Sequence, residues 1–229
     1  MQTAKAKALD SAELERLGAA TFQIVHDLKN QLNGLKLYAT FLRKRLERED
    51  QPQDQRETLA KLITGLDRAA SDLTALVRLA RPLELRRQPR VDIKRIAENV
   101  IADAAEHETG GLPKVIIAHD FADESFLGEF DPAILAEAIK TITNELRAVS
   151  ARDPGQLLIT LRRDESNQAV IEWRGGRVNR NAPLSTDSGT IHTQLATKMF
   201  QAHGGDMVCD NDVIRVSLPL IKQITSTND

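Results

Sequence analysis

Residues 22–42 read FQIVHDLKNQLNGLKLYATFL, and the indexing of that stretch decides the architecture of the first part of the chain. Val25, Leu28, Leu32, Leu35, Ala39, Leu42 and Leu46 recur at alternating intervals of three and four, the a/d seam of a coiled coil or helical bundle. The spacing predicts a helix running to about Glu49. After a break at DQPQDQ (50–55) a second run, Leu59, Leu62, Leu66, Ala69, Leu73, Leu76 and Ala80, repeats the alternation. Its end is set by Pro82, because a proline pushes the preceding residue out of the α region. Two such helices with a short connection predict an antiparallel hairpin. One hairpin covers only one side of each seam, so the pattern asks for a second copy, giving a homodimer built as a four-helix bundle.

The pattern then changes. RPLELRRQPRV (81–91), with two prolines among its arginines, breaks the heptad and reads as a linker into a second domain. The division falls at residues 1–81 and 82–229, with regular structure resuming near Val91. VDIKRIAENVIADAAEHE (91–108) has the period of an amphipathic helix and VIIAHD (115–120) is a short strand. DPAILAEAIKTITNELRAVS (131–150) is a helix that Asp131 caps with Pro132 at its first position. QLLITLRRDESNQAVIEWRGG (156–176) holds two β-rich runs around a polar turn, TIHTQLATKMFQAHGG (190–205) is a helix closed by glycine, and DMVCDNDVIRVSLPL (206–220) is a further hairpin. Helices and antiparallel strands in blocks predict an α+β class, with a sandwich following the helical hairpin.

Composition removes several function classes. The 31 Lys and Arg nearly balance the 33 Asp and Glu, so bulk charge gives no reason to expect nucleic acid or an anionic membrane as partner. Cys209 is the one cysteine, which excludes an internal disulfide framework and fits a reducing compartment. No run of about 18 apolar residues is present, and the first residues lack the apolar core of a signal peptide. The expectation is a cytoplasmic protein.

His26 follows the seam residue Val25 and therefore lies at the margin of the apolar stripe, largely exposed. Asn30 is one turn further along the same face, where an amide can hydrogen-bond water or oxygens attached to the ring. Asp27 is about 100° around the helix, so geometry does not place it against the same ring. An exposed imidazole near neutral pH offers a nitrogen lone pair to an electrophile. Taken alone, such a histidine is more often a solvated helix residue than a nucleophile.

HDLKN (26–30) inside a dimerising heptad hairpin resembles the H-box of histidine kinases and of the histidine phosphotransferases derived from them. That resemblance implies that His26 carries a phosphoryl group, that Asp27 assists proton transfer, and that Asn30 positions water or phosphoryl oxygens. Gln31 stands where the family's box has a proline. The likeness extends along the chain: DPAILAEAIKTITNELRAVS resembles the N-box helix, EWRGGRV (172–178) the first glycine box, and GTIHTQLATKMFQAHGGDM (189–207) the ATP lid and the helix after it. The C-terminal domain is thereby expected to be a histidine-kinase ATPase-like sandwich.

The nucleotide-contacting positions do not match that pattern. The two N-box asparagines fall on Thr141 and Glu145, and only a one-residue slip brings Asn144 to the magnesium place. The aspartate that accepts from the adenine amino group falls on Trp173, which cannot accept that bond. The lid glycines, whose backbone approaches phosphate, fall on Thr190, Ile191, His192 and Thr193. Histidines 107, 119 and 192 sit in no metal-ligand spacing, and His203 reads as a helix-end packing residue.

Together these features are similar to histidine phosphotransferases of the ChpT type, which keep the kinase fold without kinase activity. The expected function is relay of phosphoryl groups between His26 and receiver-domain aspartates of response regulators. No cofactor or metal of its own is expected; the receiver domain brings Mg²⁺ and a lysine. Lys29, Asn33 and Lys36 are the candidate docking residues, though Lys29 is equally well a solvated helix residue. Two other readings stand beside this one: an ATP-dependent histidine kinase with a divergent pocket, and a non-enzymatic pseudokinase that binds response regulators.

Overall fold

Heptad positions along the first helix divide into two sets with opposite surroundings. In the computed structural model, which describes residues 24–45, 53–106, 116–150, 156–175, 187–210 and 213–221, α1 is helical over 24–45 and α2 spans Gln53–Ala80. Both belong to the first of two units, Met1–Arg81, the second being Pro82–Asp229. Val25 and Ala39 are buried and Leu32 is half-buried, whereas Leu28, Leu35 and Leu42 are exposed. The seven-residue series 25/32/39 is thus covered within the chain and the series 28/35/42 is not. On α2, Leu59, Leu66 and Leu73 are half-buried while Leu62 and Leu76 are exposed. Lys36 Nζ meets Asp67 Oδ1 at 2.5 Å. Leu42 and Arg45 line a groove of about 470 Å³ together with Asp54, Gln55, Thr58, Leu59 and Leu62. Arg81 N–H donates to Val77 O at the end of α2, one residue before Pro82. Leu46 and the expected helix end at Glu49 lie outside the described residues.

The second unit runs β1 (Gln88–Asp92), α3 (Ile93–Glu106), β2 (Ile116–Phe121), β3 (Leu127–Phe130), α4 (Pro132–Ser150), β4 (Gln156–Arg163), β5 (Gln168–Arg174), α5 (Asp187–Ala202), β6 (Asp206–Asp210) and β7 (Val213–Pro219). Its five-stranded sheet has the order β2-β4-β5-β7-β6, with β2 parallel to β4 and the other neighbours antiparallel. β1 and β3 form a separate antiparallel pair. Alternation sets the inner face of the large sheet: Leu157, Ile159 and Leu161, then Ala169, Ile171 and Trp173, then Ile214, Val216 and Leu218 are all buried. Helical periodicity brings up the opposing layer, with Leu135, Ala138, Ile139 and Ile142 of α4 and Leu195, Ala196, Met199 and Phe200 of α5. Each large apolar side chain buried there contributes about 1.5–3 kcal/mol.

Two helix ends are built as their residue types dictate. Asp131 Oδ1 accepts from the N–H groups of Ala133 and Ile134, satisfying two of the free donors at the start of α4. At the end of α5, Gly204 N–H donates to Gln201 O and Gly205 N–H to Phe200 O, the paired bonds of a Schellman cap. Gly204 takes φ +80, a backbone region in which glycine alone is unstrained.

The segment read as a plain linker contains β1. Pro89 and the positive φ of Arg90 (57) interrupt its pairing with β3, shifting the register between Gln88 and Val91. The alternation that would mark a strand in sequence is therefore absent, and regular structure resumes three residues before Val91.

Candidate functional site

On α1, His26 is placed by helical phase: it follows the buried Val25 by one residue, and its side chain is 66% exposed. Asn30, one turn on, brings Nδ2 to 3.3 Å from His26 Nδ1. Asp27 Oδ1 lies 3.5 Å from the same nitrogen, which corrects the expectation that Asp27 is turned away from the ring. The 100° between neighbours separates their Cα–Cβ bonds, but imidazole and carboxylate both extend sideways from the helix and meet above its surface.

Nδ1 has one valence for these two neighbours. With a lone pair there, it accepts from the Asn30 amide; with a proton there, it donates to Asp27 and the lone pair resides on Nε2. Asp27 therefore favours the tautomer in which the lone pair resides on the distal nitrogen, Nε2, and Asn30 is its competitor for Nδ1.

The expected docking residues separate. Asn33 is exposed. Lys29 is half-buried, and Lys36, half-buried as well, is engaged with Asp67 of α2. Its pairing depends on a residue 31 positions away on another helix, which local spacing does not reveal.

In the second unit, the place corresponding to the adenine-accepting aspartate is filled. Trp173 is fully buried, and its Nε1–H donates to Thr143 Oγ1 at 3.0 Å, while Thr143 donates to Ile139 O. A carboxylate does stand next door at Glu172, but strand alternation puts it on the other face of β5. There Arg174 and Arg215 hold it at 2.6–2.7 Å; burial opposes its charge, yet the two guanidinium groups keep it below the usual carboxylate range. A one-residue slip does not restore an acid facing the helices.

On α4, Thr141 Oγ1 bonds back to Glu137 O and Asn144 is exposed. The positions corresponding to the lid glycines, 190–193, lie within α5; from Ile191 onward a helical backbone directs its N–H groups to carbonyls of the preceding turn. The Thr190 side chain and Gly176–Val178 lie outside the described residues. Among the described residues, no group of three or more His, Cys, Asp and Glu side chains is placed to hold a metal ion.

His203 joins the two caps of this unit. Its Nδ1 is 2.7 Å from Met199 O and its Nε2 is 3.1 Å from the Asp131 backbone nitrogen. The first contact requires a proton on Nδ1, and the second a lone pair on Nε2, so the pair specifies one neutral tautomer. Burial lowers the pKa of His203 below the ordinary histidine value, assisted by Arg87. Asp131 Oδ2 also accepts from Arg86 N–H at 2.8 Å. Burial works against its charge, but the backbone donors of Arg86, Ile134 and Ala133, with His203 nearby, hold its carboxyl below the usual range.

No family model and no curated protein matches the sequence. Solved structures do match the fold. Full-length ShkA in complex with AMPPNP aligns with 87% of this chain at a TM-score of 0.61 and 17% identity. The chain spans 45% of that structure, less than half its length. The Acinetobacter baumannii histidine kinase AdeS aligns over 82% of this chain and 96% of its own, with a TM-score of 0.49 and 12% identity. The catalytic domain of histidine kinase ThkA covers 60% of this chain at a TM-score of 0.43. The fold is histidine-kinase-like. No helix among the described residues is long and apolar enough to cross a membrane.

Proposed function

We propose that the chain is a histidine phosphotransferase of the ChpT type, relaying phosphoryl groups through His26 without using ATP. The observation that carries this reading is the exposed imidazole of His26, with Asp27 and Asn30 both at Nδ1 and Nε2 distal. In the step, the Nε2 lone pair attacks the phosphorus of an aspartyl phosphate on a receiver domain. The P–N bond forms as the P–O bond to the aspartate breaks, and the electron pair leaves on the carboxylate. The reverse reaction delivers the group to a second receiver aspartate. A loose phosphoryl-transfer transition state asks mainly for positioning and charge neutralisation. In this reading the receiver contributes its Mg²⁺ and lysine, and this chain contributes the nucleophile, Asp27 to hold the Nδ1 proton, and Asn30 to contact phosphoryl oxygens.

In the same reading the first unit is an antiparallel hairpin that dimerises. Support comes from the exposed series Leu28, Leu35, Leu42, Leu62 and Leu76, which a second hairpin would cover to complete a four-helix bundle. Loss of ATP use is supported by Trp173, buried where the family has its adenine acceptor.

The rival is an ATP-dependent kinase, favoured by the fold likeness to the AMPPNP complex of ShkA. Incubation of the full chain with receiver domains phosphorylated on aspartate, in parallel with labelled Mg-ATP, separates the two. Label reaching His26 from receivers and not from ATP is the expected outcome. Label from ATP alone reverses the assignment, and receiver binding that survives without any label on His26 makes the chain a non-enzymatic binding module.

A further inference from the structure

The cap at the start of α4 needs only one oxygen. Asn or Ser there would satisfy the same donors as well as Asp does, and Asp131 Oδ1 alone accepts from Ala133 and Ile134. The second oxygen is surplus to the cap and is turned elsewhere: Oδ2 accepts from the backbone N–H of Arg86 at 2.8 Å, across 45 positions of sequence. The next residue makes an attachment at another helix end. Arg87 Nη2–H donates to Ala202 O at 2.7 Å, where the last carbonyls of α5 have no partner within the helix and favour a cation. His203 Nε2 holds the backbone nitrogen of Asp131 at 3.1 Å, fixing the residue whose side chain holds Arg86. Upstream, Leu83 and Leu85 are half-buried while Pro82, Glu84 and Arg86 are exposed, the alternation of an extended segment with one side covered.

We propose that Asp131 and Arg87 form a latch that straps the connection between the two units, residues 82–87, onto the second unit, and that its opening sets how far the connection extends. Closed, the latch leaves only residues 82–85 between Arg81, bonded to Val77 at the end of α2, and the first anchored residue, Arg86. That length reaches at most about 18 Å, and Pro82 contributes a fixed φ. Open, the next firm anchor is Val91. Gln88 pairs with Phe130, but the register shift separates that pair from Val91 and Gly128, so it has no ladder to rest on and follows the latch. Residues 82–90 are then loose, with a reach of about 36 Å. The latch is closed at rest, because opening strips a buried carboxylate oxygen of its donor. Opening is therefore a distinct minor state and not the fraying of a loop. The device belongs to the linker and the second unit, and it stands whatever chemistry His26 performs.

The test is amide hydrogen exchange of the full chain, followed residue by residue by NMR, with limited tryptic digestion beside it. In the wild-type chain the Arg86 amide is expected to exchange about a hundredfold more slowly than in an unstructured peptide of residues 80–92, yet faster than Ile139 and Ile142 in the core of α4. Asp131→Asn keeps an equally good capping oxygen for Ala133 and Ile134 but sets an NH₂ group where Oδ2 faced Arg86. It is expected to speed exchange at Arg86 by about tenfold or more relative to Ile139 and Ile142, and tryptic cleavage after Arg86 and Arg87 by a similar factor. Arg87→Met keeps the aliphatic stem and removes the donor. It is expected to speed Arg86 about two- to fivefold, and it carries the test alone if Asp131→Asn fails to fold. An unprotected Arg86 amide in the wild-type chain, or exchange and cleavage unchanged in the variants, overturns the latch. Exchange of Arg86 in step with Ile139 and Ile142 overturns it too, by making the strap an inseparable part of the fold.

Discussion

The two units solve opposite problems with similar residue types. In the second unit nearly every large apolar side chain of the inner sheet face is covered, and two of its large buried polar side chains are paired, Trp173 with Thr143 and His203 with Met199 and Asp131. In the first unit, five of the nine described seam leucines stand exposed, and the candidate nucleophile is exposed on another side of the same helix. Closure in one unit fits a scaffold, and openness in the other fits a surface made for other molecules. Trp173, which the resemblance matches to the adenine acceptor, lies in the better covered of the two units.

That contrast breaks first at His26. His26→Ala is expected to abolish transfer from receiver domains, by at least three orders of magnitude, with no change in melting temperature; relay that persists places the chemistry on another residue. Next in size is Leu35→Glu, which puts a charge into the exposed series. If a second copy covers that series, the substitution costs on the order of 3–5 kcal/mol of association, read by sedimentation as monomer. An unaltered sedimentation profile returns the stripe to solvent.

In the closed unit, Trp173→Ala is expected to cost about 3–5 kcal/mol of stability, by cavity formation and loss of the Thr143 partner. The same variant, titrated calorimetrically with Mg-ATP, sharpens the comparison: no gain of binding is expected, because the residues corresponding to the lid remain helical. Asp131→Ala removes the α4 cap and is expected to cost about 1–2 kcal/mol, seen in chemical denaturation of the second unit.

The smallest effect is a pH slope. His203 is harder to protonate in the folded unit than in the unfolded chain, so the unfolded chain binds more protons below the ordinary histidine value of about 6.5. Stability is fully present above that pH and falls as pH drops through it towards the lowered folded value. Melting of the second unit at pH 7.5 and pH 5.5 should show the decline, and His203→Asn should flatten it.

Sequence periodicity made the helices of both units legible, because the apolar intervals of Val25 to Leu42 and Leu135 to Leu146 follow directly from helical geometry. Alternation did the same for β4, β5 and β7. It failed at β1, where Pro89 and Arg90 distort the strand, and β3 is four residues long. At the candidate site, the proximity of His26 and Asn30 follows from a four-residue spacing. The Asp27 contact was hidden because angular reasoning treats side chains as radial spokes, and the Lys36–Asp67 pair because it is tertiary.

The contrast between the units is also written in their chromophores. The chain has one tryptophan and one tyrosine: Trp173 is sealed in the second unit, and Tyr38 is exposed on α1. Tryptophan emission, blue-shifted while the ring is enclosed, reports the second unit; far-ultraviolet circular dichroism, followed beside it, also carries the helices of the first. Coincident transitions from the two would mean that the chain unfolds as one cooperative body, and separated ones that the helices and the sandwich melt independently.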